Sequence, residues 1–297
     1  MLQGKSTSVA LSGLFIVLWS TAWIAGKVGL ASAGPMTMLF YRFAIAALVL
    51  LTVAILARAR WPSSWRAFAH VAVAGALIQA LGLGGVYLGM RDGVSAGVSA
   101  LIAGLSPLLT AIAAAQFLDE RIGPRQWTGL GLGIIGVAIV VADRLALGAG
   151  WQGYAVTFAG LSAFVAGTIY QKKYCGDMDL RTGTFIQTFA AAIVILVPAL
   201  LIESLQADWN ATFVASIGWM ALVNSAAAMT LLLLLLSRGS ASQVATLFYL
   251  VPPLTALMAF ATLHESLGSH ALLGFLIVAF SVYLGTRPVT MKTATAT

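Results

Sequence analysis

The residues of this chain that could do chemistry are polar and aromatic side chains stranded in long apolar runs. Gln79 and Asn224 each fall near the middle of such a run, where an amide without a partner is costly, so both are expected to face inward. Either they hydrogen-bond the polar part of a small-molecule substrate in a wet cavity, or each bonds a neighbouring helix. Ser95, Ser99, Ser106 and Thr110 approximate one helical face and have the same two readings, solute contact or hydroxyls bonded back to their own helix. Trp19 and Trp23 are spaced one helical turn apart, and an indole N–H at that depth needs an acceptor. With Tyr87, Phe164, Thr168, Trp219, Phe248 and Tyr249 they could form a cavity wall suited to flat apolar solutes, ordinary core packing being the alternative.

What is missing narrows the chemistry further. Asp92, Asp119, Glu120, Asp143, Asp177, Asp179, Glu203, Asp208 and Glu265 all fall at run ends or between runs, whereas proton relays inside membranes usually rest on buried Asp, Glu or His. His70, His264 and His270 lie near run ends, and with Cys175 they offer no metal-ligand spacing. No catalytic residue, metal or cofactor is expected, because a membrane-embedded enzyme needs a nucleophile and base or a metal at membrane depth. Arg42 lies about a turn and a half inside its run, close enough to snorkel to water, with substrate binding as the less favoured alternative. Glu120 and Glu265 are expected to cap or brace helix ends.

The elements that must hold these residues follow from composition. Apolar residues make up 60% of the chain and charged ones 8%, with a mean hydropathy of +0.97, so a soluble domain is excluded. Runs long enough to span a bilayer lie near 8–29, 36–57, 67–90, 95–118, 126–143, 151–171, 181–203, 213–237, 241–263 and 270–286. The single Cys175 excludes an intramolecular disulfide. The pI of 9.9 reflects topology, and no nucleic-acid partner is expected. Lys5, Arg58, Arg60, Arg66, Arg121, Arg125, Lys172, Lys173, Arg181, Arg238, Arg287 and Lys292 fall on one side, against Lys27, Arg91 and Arg144 on the other. That bias predicts that both termini are cytoplasmic. The first run, with Trp19 and Trp23 in its middle, reads as a true span rather than a cleavable signal.

A constant offset joins the two halves. Pro107 pairs with Pro252, Glu120 with Glu265, Lys27 with Lys172 and Gly129 with Gly274, and the stretch from Ser95 to Glu120 matches that from Ser240 to Glu265 without a gap. Gln79 and Asn224 are equivalent under it, as are Trp19 and Phe164, and Trp23 and Thr168. The chain therefore reads as an all-α polytopic membrane protein, ten transmembrane helices in two five-helix repeats, 1–146 and 147–297. An odd number of spans per repeat makes the halves inverted, an arrangement suited to alternating access around a site near the midplane. Pro107 and Pro252 break their helices at equivalent positions, as paired hinges or as static bends. Gly82, Gly84, Gly85 and Gly89, like Gly129 and Gly133, are expected to permit close helix packing.

The motifs carrying the repeat also carry a resemblance. Leu18-Trp19-Ser20 followed by Lys27, Pro35 followed by Arg42-Phe43, Leu105-Ser106-Pro107-Leu108-Leu109-Thr110 ending in Leu118-Asp119-Glu120, and then Gly129, are repeated in part by Pro252, Leu263, Glu265 and Gly274. This pattern resembles the ten-helix, EamA-type branch of the drug/metabolite transporter superfamily over nearly the whole chain. The resemblance implies solute export across a bacterial inner membrane, with the first, third, fourth, sixth, eighth and ninth helices around a central cavity and the other four outside. The opening Leu18-Trp19-Ser20-Thr21 is similar to that of an aromatic amino-acid exporter of the family. The second half departs from the pattern with Phe164 for Trp19 and Gln187 for Arg42. The expected function is export of amino acids, aromatic and neutral ones included, or of similar small metabolites, without proton coupling. A broad drug exporter of the same fold is the rival. The expected surroundings are the lipid bilayer and a small-molecule substrate, with the chain a monomer.

Overall fold

The computed structural model describes residues 2–94, 99, 102–142, 150–263 and 271–285. Ser95, Asp143, Arg144, His264, Glu265 and His270, together with both chain ends, lie outside them. The described residues are helical, with no strand among them and one isolated bridge between Ala33 and Ala207. Helix α1 is Leu2–Gly29, α2 is Pro35–Leu56 and α3 runs Trp65–Arg91; α4 is Ser106–Phe117 and α5 is Pro124–Ala142. The second half continues with α6 at Trp151–Tyr174, α7 at Leu180–Glu203, α8 at Ala211–Arg238, α9 at Ala241–Leu263 and α10 at Ala271–Gly285. By length and composition α1, α2, α3, α6, α7, α8 and α9 can each cross a membrane, whereas Ser106–Phe117 is a shorter apolar helix.

The molecule is apolar outside and polar within. Leu48, Ile55, Leu56, Ile193, Val197, Leu201, Leu276 and Phe280 are exposed, while Ser20, Thr37, Arg42, Gln79, Gln187, Thr188, Asn224 and Ser225 are buried. Water would reverse that distribution; a hydrocarbon solvent requires it, and the helices satisfy the backbone within each segment. Trp61, Trp65, Trp127, Trp151 and Trp209 are exposed near helix ends, as expected for interfacial rings.

Contacts between helices come in matched sets. α2 packs along α7 and α5 along α10; α1 meets α8 and α9, while α6 meets α3 and α4. Glycines bring α3 and α6 together. A Cβ built on Gly85 would stand 2.6 Å from the Gly160 Cα, and one on Gly160 would stand 2.9 Å from the Gly82 carbonyl oxygen. Gly133 of α5 presses on the Tyr249 ring. These contacts agree with the close packing read from the glycine spacing.

The helix ends are tied by side chains, several from distant segments. Pro35 opens α2, where its missing N–H costs nothing, and Glu203 at the end of α7 accepts from Met36 N at 3.1 Å and Thr37 N at 2.7 Å. Glu120, after α4, does the same for α9, accepting from Ala241 N at 2.8 Å and from Ser242 Oγ at 2.7 Å. The expected capping role is therefore seen for Glu120, directed at α9 rather than the adjacent α5. Lys172 Nζ donates to the Leu236 and Gly239 carbonyls at 2.7 and 2.6 Å, closing α8. Asp179 caps α7, and its hydrogen bonds from Arg181, followed by those from the backbone, hold its carboxyl down to about 2. Because that value is depressed, the contribution to stability is complete above the ordinary carboxylate range and is lost only as pH falls toward about 2.

Candidate functional site

Four aromatic rings meet where α1, α6 and α9 cross. Trp19 lies 5.3 Å from Phe15 and 5.2 Å from Phe248, and Phe248 lies 5.5 Å from Phe164, all centroid to centroid. Phe248 meets Phe15, Trp19 and Phe164 edge-to-face, the arrangement the ring quadrupoles favour. Trp19 and Phe164, equivalent under the repeat offset, thus converge on one ring of the second half. Trp23 packs against the same cluster. Thr168 stands one turn beyond Phe164 and spends its hydroxyl on the Phe164 carbonyl at 2.9 Å.

Phe248 sits on a break. α9 is α-helical over Ala241–Thr246, tightens to a 3₁₀ turn over Leu247–Leu250, and resumes at Val251 with Pro252 and Pro253 in its first turn. Before α4 a turn falls at Gly104–Leu105, following the helical Ile102 and Ala103, and Ser106–Phe117 begins with Pro107 in its first turn. The prolines therefore open the helical segment that follows each break instead of kinking a continuous one, because a ring without an N–H is tolerated there. Ser99 and Thr110, on either side of the α4 break, are buried with hydroxyls lacking a hydrogen-bond partner.

The two amides occupy a feature without a sequence signal. α3 widens to a π-helical segment over Ala76–Leu83 and α8 over Met220–Ala228, equivalent stretches that carry Gln79 and Asn224. Such segments recur at functional sites. Here both amides reach neighbouring helices: Gln79 Nε2 donates to Thr188 Oγ1 of α7 at 3.3 Å, and Asn224 Nδ2 donates to the Leu18 carbonyl at 2.6 Å and Thr21 Oγ1 at 3.1 Å. The Asn224 Oδ1 is buried without a partner.

Three of the expected wall residues lie apart from the rings. Trp219 is 48% exposed on α8 and donates its indole N–H to Thr21 Oγ1 at 3.0 Å. Tyr249, next to Phe248, points the other way, fully buried against Leu130 and Val278 with its hydroxyl on the Leu130 carbonyl at 3.0 Å. Tyr87 is buried within a second cluster, beside Gly26 of α1, and also lines a cavity of about 820 Å³ between the Leu30–Pro35 turn, the end of α3 and Glu203.

Sequence reasoning set Arg42 at the water interface; the structure buries it. Its side chain is 4% exposed, covered by α8, and its Nε donates to Ser225 Oγ at 2.7 Å. Depth counted along one helix ignores what packs over it, although a charge inside a span was signal enough. Among the described residues no group of His, Cys, Asp and Glu is arranged to hold a metal.

An apolar exterior, a polar interior and, among the described residues, seven helices of spanning length define a multi-pass membrane protein. The model of the EamA-like transporter family matches it over residues 7–142 and again over 151–287. The chain belongs to that family and is a membrane transporter of the drug/metabolite superfamily. It is 25% identical to the uncharacterized transporter YvbV of Bacillus subtilis, over 94% of this chain and 92% of that one. It is 23% identical to the inner membrane transporter YedA of Escherichia coli, over 93% of this chain and 89% of that one. A probable amino-acid metabolite efflux pump of E. coli is also 23% identical, over 92% and 93% of the two chains. A crystal structure sharing 18% identity superposes with a TM-score of 0.79 over 95% of this chain and 97% of the other, a likeness of fold.

Proposed function

We propose that this transporter exports amino acids, aromatic and neutral ones included, or similar small metabolites across a bacterial inner membrane by alternating access. In this reading its ten spans form two inverted repeats, residues 1–146 and 147–297, and both termini are cytoplasmic. The observation that carries it is the meeting of Trp19, Phe164 and Phe248 beside the break in α9, with Trp23 packed on the same apolar core. Flat apolar rings offer a substrate ring the same edge-to-face contacts they make with one another, on a helix whose halves can move separately. The inverted repeat is supported by the double family match, by the equivalent π-helical segments and by the breaks before Pro107 and Pro252. Names of relatives add an inner membrane and an amino-acid metabolite.

Gln79, Tyr87, Ser99, Thr168, Trp219, Asn224 and Tyr249 complete the proposed substrate route, contacting solute in other conformations of the cycle, with Pro107 and Pro252 as hinges. The described acidic residues stand at helix ends or between helices, which supports transport down the solute gradient without a proton relay. Counterflow in proteoliposomes tests the substrate class. External labelled phenylalanine should accumulate transiently in vesicles preloaded with the same amino acid, and organic cations should compete poorly. Efficient competition by cations, with none by amino acids, would instead select the drug-exporter reading.

Orientation is tested by labelling. A cysteine at Asp208, which is exposed, should react in intact cells with a thiol reagent that cannot cross membranes, and one at the exposed Ser64 should not. Background is expected to be low even with Cys175 present, because burial pushes its thiol up to about 11 and little reactive thiolate forms. The opposite labelling pattern inverts the topology.

A further inference from the structure

Arg42 carries a full charge about 10 Å along α2 from its first residue, yet it is 4% exposed. Its Nε is held by Ser225 Oγ at 2.7 Å, and the cation lies 5.5 Å from the Phe43 ring centroid. Phe43 belongs to the buried cluster that also holds the uncharged Tyr87 phenol. Among the described residues no Asp or Glu carboxylate pairs with it, whereas Arg91 pairs with Asp92 and Arg181 with Asp179. A guanidinium cannot shed its proton to relieve this, and an uncompensated buried charge is strongly destabilising. A chain that keeps one is missing its counter-charge.

The surroundings indicate how that counter-charge arrives. Tyr87, which shares a buried cluster with the adjacent Phe43, lines the cavity of about 820 Å³ that opens at the turn between α1 and α2. Near the mouth, the Glu203 carboxylate accepts from the first amides of α2 and the Asp92 carboxylate pairs with Arg91, so neither carboxylate pairs with Arg42. With Nε fixed, the outer edge of the guanidinium fork remains, and its geometry matches the two oxygens of a carboxylate. Ser225 also adjoins Asn224, which ties the π-helical segment of α8 to the Leu18 carbonyl, one residue before Trp19.

We propose that Arg42 is the anion receptor of the transport path, binding the carboxylate of an amino acid or organic-acid substrate as it passes behind Tyr87. This rests on the exporter reading above, but it predicts a chemical preference that the aromatic cluster alone would not produce. Losing a charge-assisted pair in a dry site should remove roughly tenfold to hundredfold in affinity.

The test compares isosteric ligands with and without the charge, measured as thermal shifts of purified protein and as inhibition of counterflow. Phenylalanine should bind the parent roughly tenfold to hundredfold more tightly than phenylalaninamide, and benzoate more tightly than benzamide. Arg42→Gln should bind the members of each pair alike, and Arg42→Lys should keep part of the preference. Ser225→Ala leaves the charge in place but frees the fork, so it should lower the preference severalfold; it serves as the variant if Arg42→Gln fails to fold. Equal binding of both members by the parent, or an undiminished preference in Arg42→Gln, overturns the proposal. If no amino acid supports counterflow while benzoate still shifts the parent and not Arg42→Gln, the substrate reading fails and the anion receptor stands.

Discussion

Valine in place of Gly85 should cut the yield of folded protein to below about a tenth of the parent. The Cβ alone would stand 2.6 Å from the Gly160 Cα and 2.8 Å from the Val156 carbonyl oxygen. All of these are backbone atoms, which cannot rotate away as a side chain can. The reverse view is as tight, since a Cβ on Gly160 would meet Gly82, Gly85 and Val86 backbone at 2.9 to 3.1 Å. α3 and α6 must then separate along the contact that positions both Phe164 and Tyr87. Overpacking typically costs about 1–3 kcal/mol, and with backbone on both sides the cost belongs at or above the upper end, a large part of a total stability of only about 5–15 kcal/mol. Alanine at the adjacent Gly84 should be tolerated, because its nearest neighbour is the flexible end of Ile195 at 3.2 Å. Valine at Gly131, with nothing within 4 Å, is the control for the substitution itself. The measurement is the monodisperse fraction after detergent extraction. Equal yields for Gly85→Val and Gly131→Val would mean that the helices do not meet there.

Glu120→Ala should lower the thermal unfolding midpoint by about 5–10 °C. The carboxylate accepts from Ala241 N, Ser242 N and Ser242 Oγ, joining the end of α4 to the start of α9 across the two halves of the chain. Hydrogen bonds to a charged group are worth about 1.5–3 kcal/mol each when buried. The site is only partly buried, and water can replace some of them, so about 2–4 kcal/mol in total is expected, which sets the shift in midpoint. Glu120→Gln retains an acceptor without the charge that favours the positive end of the helix, and should fall between. Ser242→Ala should cost about 1 kcal/mol. A shift of less than about 2 °C for Glu120→Ala would mean that solvent caps α9 as well as the carboxylate does.

Features that depend on composition or local spacing were readable before any coordinates. The long apolar runs, the interfacial tryptophans, the glycine contacts of α3 and the bracing role of Glu120 all follow from what a hydrocarbon solvent allows. The π-helical segments around Gln79 and Asn224 left no trace, because helices apolar on every face have no period for an inserted residue to disturb. The partners of those amides were equally hidden: Thr188 is more than a hundred residues from Gln79, and which neighbour an inward amide meets depends on packing. Tyr249 and Phe248 are adjacent and aromatic, and only the 3₁₀ turn decides that one joins the rings while the other reaches α5. Arg42 was misjudged for a related reason, since the helix that covers it belongs to the other half of the chain.

In the proposed function this chain alone carries solute down its gradient through a saturable site. The direct measurement is efflux of labelled phenylalanine from loaded proteoliposomes of the purified protein, with ionophores collapsing every ion gradient. Gly85→Val and protein-free vesicles provide the background. Efflux should stand well above that background, saturate with internal substrate and be unchanged by the ionophores. Efflux no faster than from empty vesicles would contradict the transport of amino acids. Accumulation against the solute gradient that depends on an imposed proton or sodium gradient would contradict the absence of coupling.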